Sequence, residues 1–387
     1  MRSMFAPVLV ALAVVVGSTA VAASAAVTPG TVSPMAATGA AHRLFAVSCT
    51  SPKNCVAVGV NSAAHGGRGG PLAETWNGSR WRLDSVRLPA GAGSGNLGWV
   101  SCATAKSCLA IGEYNDFSGI LTESWNGKTW TPGKLLPPAG LKINIDGVSC
   151  ASATDCVAAG VYGSTYPLAE TWNGRKWTAT KLPEPGKGIY AYLGGVSCAS
   201  ATDCVAVGNI SLANGFGAEL AEYWNGRKWA ASKPPVPSGG LPDTLDQVSC
   251  VRPKSCVAVG NYFAGSKSPG VADFWNGQKW SADKVAAPGN SSLAGVSCAT
   301  ASRCVSFGVV TQNETFSAAW NGKTWKTETL PPPGGKGSSA WNTPYGIACP
   351  SATSCVLVGV YGTSSKSPAY GFSEFWNGKS WRLAPTA

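Results

Sequence analysis

Seven copies of one pair of motifs run through this chain and leave few folds open to it. The first motif is Val47-Ser-Cys49, followed six residues later by a second cysteine in Cys55-Val-Ala-Val-Gly59. Its first cysteine recurs at Cys102, Cys150, Cys198, Cys250, Cys298 and Cys349. The second recurs at Cys108, Cys156, Cys204, Cys256, Cys304 and Cys355. The other motif, Trp-Asn-Gly-x-x-Trp, begins at Trp76, Trp125, Trp172, Trp224, Trp275, Trp320 and Trp376. A period of about 50 residues marks stacked supersecondary units rather than one irregular core.

Each copy reads as four short antiparallel strands. Strand one ends at the first cysteine and strand two begins at the second. In Cys204-Val-Ala-Val-Gly208, alternation puts Cys204, Ala206 and Gly208 on one face and Val205 and Val207 on the other. Both faces are apolar, one small and one large, so the large face of one sheet fills the small face of the next. Asn-Gly predicts a two-residue type I′ hairpin joining strands three and four, with its tryptophans as diagonal neighbours able to stack. Repeated seven times, this is the blade of a propeller. The expected fold is therefore all-β: a seven-bladed β-propeller with four antiparallel strands and one disulfide per blade. Blades are placed at 44–96, 97–145, 146–193, 194–245, 246–293, 294–343 and 344–387. An open solenoid ranks second, because no repeat differs as a cap. Strand one opens the first copy and strand four closes the last, so closure would rest on packing of blade one against blade seven unless Thr28 to His42 adds a strand.

All 14 cysteines belong to the repeat. A C-x5-C pair across the turn between strands one and two matches disulfide reach at about 5.5 Å between Cα atoms. Metal binding would need tighter cysteine clusters or histidines beside them, and the only histidines are His42 and His65. No metal and no cofactor is expected. Residues 1–26 read as a signal peptide: Arg2, an apolar run from Phe5 to Gly17, then small residues around Ala22 and Ala25. The run is short of the ~20 residues of a membrane span. Residues 27–43 read as a flexible segment. The expected product is a secreted, extracellular monomer with no membrane span after cleavage, consistent with its disulfides. The full chain's formal net charge of +11 becomes +10 once Arg2 is removed, with no dense basic run, which suits anionic wall polymers and disfavours nucleic acid.

Loops two-to-three and four-to-next-blade share one side and vary most: His65 to Gly70, Tyr114 to Phe117, Leu212 to Phe216 and Ser364 to Tyr370. Rigid scaffolds usually bind through such loops. Trp99, Tyr190, Tyr192, Trp341 and Tyr345, just before strand one, would lie nearest the axis there and are the candidate binding residues. An acid sits two residues before the hairpin tryptophan in six copies, as Glu74, Glu123, Glu170, Glu222, Asp273 and Glu374, with Ala318 the exception. A basic residue follows Asn-Gly in each copy, such as Arg80, Lys128, Arg175 and Lys379. The simplest expectation is an exposed cross-strand charge pair. The alternative is a repeated Glu, Arg and Trp sugar site, as this hairpin resembles that of some propeller lectins.

The hairpin is also similar to the Asp-box turn of sialidase-like propellers and to the tryptophan-bearing strands of kelch and galactose-oxidase-type propellers, where such residues are structural. As a whole, Gly-Val-Ser-Cys-Ala-Ser-Ala-Thr-Asp-Cys-Val-Ala-Val-Gly with Trp-Asn-Gly-x-x-Trp resembles secreted, functionally undefined propeller-repeat proteins of actinobacterial type. That resemblance implies the fold and export. No catalytic residues are assigned, since histidine bases and an arginine cluster are missing. Asp243 and Asp246 leave glycosidase chemistry open. The leading expectation is a non-enzymatic binding or scaffold module for a glycan or cell-wall polymer. The alternative is a carbohydrate-active hydrolase or lyase with carboxylates near the axis.

Overall fold

The computed structural model describes residues 41–62, 69–115, 119–133, 143–163, 166–183, 188–212, 217–311, 314–335, 340–363 and 368–387. The expected signal peptide, residues 27–40 and most of each variable loop (65–68, 116–117, 213–216 and 364–367) lie outside the described residues. Within them, 28 strands form seven separate four-stranded sheets, each built from consecutive strands in the order one-two-three-four. Blade 1 comprises β1 (Ala41–Ser51), β2 (Asn54–Ser62), β3 (Gly70–Trp76) and β4 (Trp81–Asp84). Blades 2 to 7 span 95–133, 143–181, 188–232, 241–284, 295–329 and 341–384. One 3-10 turn, Pro288–Asn290, is the sole helical element among the described residues, and no helix there is long and apolar enough to cross a membrane.

The first strands pack side by side around the axis, and β1 meets the first strand of blade 7 (Trp341–Ser351) to close the ring. Among the described residues no strand is exchanged between sheets. Cross-strand register divides each sheet into two faces. Cys55, Ala57 and Gly59 lie opposite Trp76, Glu74 and Leu72, and Trp76 lies opposite Trp81. This cysteine face of blade 1 packs on Val356 and Val358 of blade 7. Likewise Cys108, Ala110, Leu121 and Trp130 of blade 2 cover Val56, Val58 and Ala73 of blade 1. The small-on-large packing read from alternation therefore holds, with each blade's cysteine face laid on the valine face of the blade before it.

Three features of the inner strands were not anticipated. The first strand carries a bulge in most blades, for example between Leu44 and Ala46 or Leu193 and Gly195. The bulge breaks the alternation upstream, which is why strands at Ile143, Gly188 and Leu241 begin earlier than the expected blade boundaries 146, 194 and 246, and why Ala41–Arg43 pair within β1 rather than forming a free segment. The bulge also presses a carbonyl onto strand two: a Cβ at Gly208 would stand 1.8 Å from the Tyr192 oxygen, and at Gly59 1.8 Å from that of Arg43. That contact accounts for the glycine of Cys-Val-Ala-Val-Gly. Finally, the serine before each first cysteine ties blades together. Ser48, Ser101, Ser149, Ser197, Ser249 and Ser297 each accept, at 2.9–3.0 Å, from the backbone N–H of the next blade's first cysteine. Ala348 stands at this position in blade 7. At that closing seam Trp81 Nε1 donates to Ser373 Oγ (3.1 Å) and the Ala387 N–H to Glu74 Oε2 (3.0 Å).

All seven disulfides join the two cysteines of one blade: Cys49–Cys55, Cys102–Cys108, Cys150–Cys156, Cys198–Cys204, Cys250–Cys256, Cys298–Cys304 and Cys349–Cys355. Their Cα atoms are 3.9–4.0 Å apart, closer than the expected spacing, as suits directly opposite residues on the close side of an antiparallel ladder.

Candidate functional site

The hairpin face is built from the Asn-Gly loops and the disulfide turns. Four residues, not two, separate the opposed tryptophans, because Trp76 pairs directly with Trp81. The type I′ expectation fails, since only the glycine takes positive φ (Gly78, 93°). Asn77 instead folds the loop through its side chain, whose Oδ1 accepts from the N–H groups of Ser79 and Arg80, both at 3.0 Å. The two rings meet, with centroids 5.6 Å apart in blade 1 and 5.6 Å for Trp172 and Trp177, but they are tilted by 52° and 43° rather than stacked.

Grooves open between neighbouring hairpins. Between blades 1 and 2 a cavity of ≈ 350 Å³ is lined by Thr75, Trp76, Arg80, Arg82 and Trp125 among others. Between blades 2 and 3 a cavity of ≈ 460 Å³ is lined by Ser124, Trp125, Trp172, Arg175, Lys176 and Trp177 among others. Each combines indole rings, cationic side chains and short hydroxyls on a frame fixed by two disulfides. The grooves lie on the hairpin side, where the recurrence of Trp and Arg/Lys offers the alternative sugar site, and away from the variable-loop side that carries the candidate aromatics.

The recurrent acid does not join these grooves. Glu74, Glu123, Glu170, Glu222 and Asp273 are 0 % exposed and Glu374 1 %, so neither an exposed charge pair nor a sugar-contacting carboxylate is formed. They project from strand three onto the cysteine face, opposite the small Ala57 in blade 1, and are sealed between blades. Both carboxyl oxygens of Glu123, Glu170, Glu222 and Asp273 lack a hydrogen-bond partner. Desolvation pushes Glu123, Glu170 and Asp273 up to about 7 and Glu222 up to about 8. In blade 6 the pair becomes Ala318 opposite Ser306.

The aromatic residues expected just before strand one lie within the first strands instead, because those strands begin earlier than the alternation indicates. Tyr190, Tyr192 and Tyr345 are exposed, while Trp99 and Trp341 are half-buried. Tyr345 packs edge-on against Phe45 across the closing seam at 5.6 Å, so it serves closure first. Tyr192 instead stands in an acidic arc: its hydroxyl is pushed up by burial and by the nearby Asp146 and Asp246. Asp146, 8 % exposed, rises to about 7 by burial and Glu113, and Asp246 to about 6 by burial. Gln247 Nε2 donates to the Gly194 carbonyl at 3.1 Å beside them. Among the described residues no group of three or more His, Cys, Asp or Glu is placed to hold a metal.

Sheet order, blade count and closure define the class: a seven-bladed β-propeller with one disulfide in each four-stranded blade. Several solved structures are similar to this chain. The propeller domain of Cps50 (Swd1) from Myceliophteria thermophila aligns with a TM-score of 0.54 at 9 % identity, covering 88 % of this chain and 97 % of that one. YCF48 bound to a D1 peptide gives 0.53 at 13 % identity, covering 87 % and 92 %. YCF48 from Cyanidioschyzon merolae gives 0.52 at 14 %, covering 88 % and 94 %. At such identities the likeness shows the fold alone. No family model and no curated protein matches the chain.

Proposed function

We propose that this chain is an exported, non-enzymatic binding module that takes anionic glycans of a cell envelope in the grooves between its hairpins. The observation that carries this reading is the blade 2–3 groove, where half-buried Trp172 lies beside exposed Arg175 and Lys176. An indole face suits the apolar face of a pyranose, while Arg and Lys suit its carboxylate or phosphate substituents. Seven disulfides favour an oxidising compartment, in line with export. Trp99, Tyr190, Tyr192, Trp341 and Tyr345 stand as a further proposed contact surface at the other end of the ring. An array of neutral and anionic wall polysaccharides tests the proposal. Retention of anionic polymers, weakening with salt and lost in Arg175→Glu/Lys176→Glu, is expected. Retention unaffected by that pair of changes would overturn it.

A second reading has its own support. Asp146 and Asp246 flank Tyr192 with pKa values raised to about 7 and about 6, a setting in which a carboxyl can serve as an acid. Turnover of a wall polysaccharide that disappears in Asp146→Asn would establish a hydrolase or lyase instead.

A further inference from the structure

The residue just before the first hairpin tryptophan differs from blade to blade: Thr75, Ser124, Thr171, Tyr223, Phe274, Ala319 and Phe375. Register puts it on the valine face, pointing toward the next blade's first tryptophan. Where it is aromatic, its ring lies on that tryptophan. Phe375 packs on Trp76 at 4.5 Å, Phe274 on Trp320 at 4.9 Å and Tyr223 on Trp275 at 5.5 Å. The groove at those three interfaces is thus filled by a ring from the chain itself. Between blades 2 and 3 the equivalent residue is Ser124, paired across the hairpin with the short Thr131, and the same space is a cavity of ≈ 460 Å³ bounded by Trp172. Between blades 1 and 2 the gate is also small, but Arg82 bridges Thr75 (3.4 Å) and Asp84 (2.8 Å), and Trp125 keeps 6 % exposure.

We infer that this position is a gate, and that the blade 2–3 groove binds a single anionic pyranose ring stacked on Trp172 where Phe375, Phe274 and Tyr223 sit at other interfaces. The choice of a sugar rests on the proposed glycan reading; the stacking position rests on the three filled interfaces. A flat or apolar-faced ring of about the size of a phenyl group fits the space that a phenylalanine fills elsewhere, and Arg175 and Lys176 at its rim supply the charge preference. Ser124→Phe closes the groove with a side chain the fold already accepts at two equivalent positions, Phe274 and Phe375.

Saturation-transfer NMR and tryptophan fluorescence titrations test this with two probes, methyl glucuronide and indole-3-propionate, on the wild type, Ser124→Phe and Phe375→Ser. Thermal melts check that each variant is folded. The expected result is glucuronide binding that weakens at least tenfold in Ser124→Phe, and a gain in bound equivalents in Phe375→Ser. Binding of the indole acid alone, lost in Ser124→Phe, keeps the gate and discards the glycan reading. Glucuronide binding indifferent to Ser124→Phe overturns the gate and leaves the glycan reading standing. Failure of both probes to bind the wild type overturns both.

Discussion

Raising the pH from 5 to 7 should destabilise this propeller, and the buried acids between its blades set the size of the effect. Glu123, Glu170, Glu222 and Asp273 are fully buried without partners, and their folded pKa values, about 7 to 8, lie above the ordinary 4.5 of Glu and 3.8 of Asp. Between the unfolded and folded values the folded state holds the extra proton, so stability falls as pH rises through that window. It is fully present below about pH 4 and flat again above about pH 8. Each group contributes a slope of about 1.4 kcal/mol per pH unit, and four together about 5 kcal/mol per unit. For a domain of this size an unfolding entropy near 0.7 kcal/mol/K turns that into a Tm decrease of about 7 °C per pH unit. Among the described residues every carboxyl whose shift is resolved moves upward, so Asp146, Asp246, Glu219 and Glu374 act in the same direction and make the four-group slope a lower bound. Scanning calorimetry of the oxidised protein between pH 4.5 and 8 measures the slope. Glu222→Gln keeps the shape, removes one titration and should flatten the slope by about 2 °C per unit. A Tm that is level or rises between pH 5 and 7 would refute the reasoning, and so would a Gln variant with the wild-type slope.

Other perturbations follow from single contacts. Ser101→Ala strips the acceptor from the Cys150 N–H and should cost about 1–3 kcal/mol in denaturant unfolding, whereas Ala348→Ser should add about 1 kcal/mol by completing the serine ring at the closing seam. Gly208→Ala drives a Cβ into the Tyr192 carbonyl and should cost about 3 kcal/mol or more, visible as a lower midpoint in guanidinium. Replacing both Cys198 and Cys204 by Ala should lose about 2.4 kcal/mol, the loop-entropy value for so short a bridge; a loss several times larger would mean that the bridge also holds the hairpin groove in shape.

Much of the fold was legible because periodicity of two within a strand and about 50 between repeats are both properties of sequence. The buried acids were legible too, and were misread. Leu72, Glu74 and Trp76 alternate onto one face with two apolar partners, which already placed the carboxyl inward; the usual preference of charge for solvent was allowed to outweigh register. The hairpin length was equally on view as four residues between tryptophans. The bulge was not, because the residues before it lose their alternation and nothing local marks the slip. Nor was the groove, since its walls come from valine and cysteine faces of different blades and only packing brings Ser124 and Trp172 to opposite sides of one space.

That separation of walls explains how one interface can carry both rigidity and variety. Near the axis the serine–cysteine hydrogen bonds fix the spacing between blades, and midway the Val, Ala and carboxyl layer excludes water. Both are nearly identical around the ring, so the outermost layer inherits a fixed gap whatever fills it. Thr, Ser, Tyr, Phe and Ala all occupy the gate position within one molecule, and the strands on either side keep the same register in every blade. A residue that five chemically different side chains can replace without moving the backbone is not needed for the fold. Its size, together with neighbours such as Arg82 between blades 1 and 2, bears on whether the space in front of the next tryptophan is filled. Where an aromatic ring stands at this position it covers the neighbouring tryptophan, and where Ser124 stands there a cavity opens between blades 2 and 3, so the outer layer of the interface can vary while the inner layers keep the blades in place.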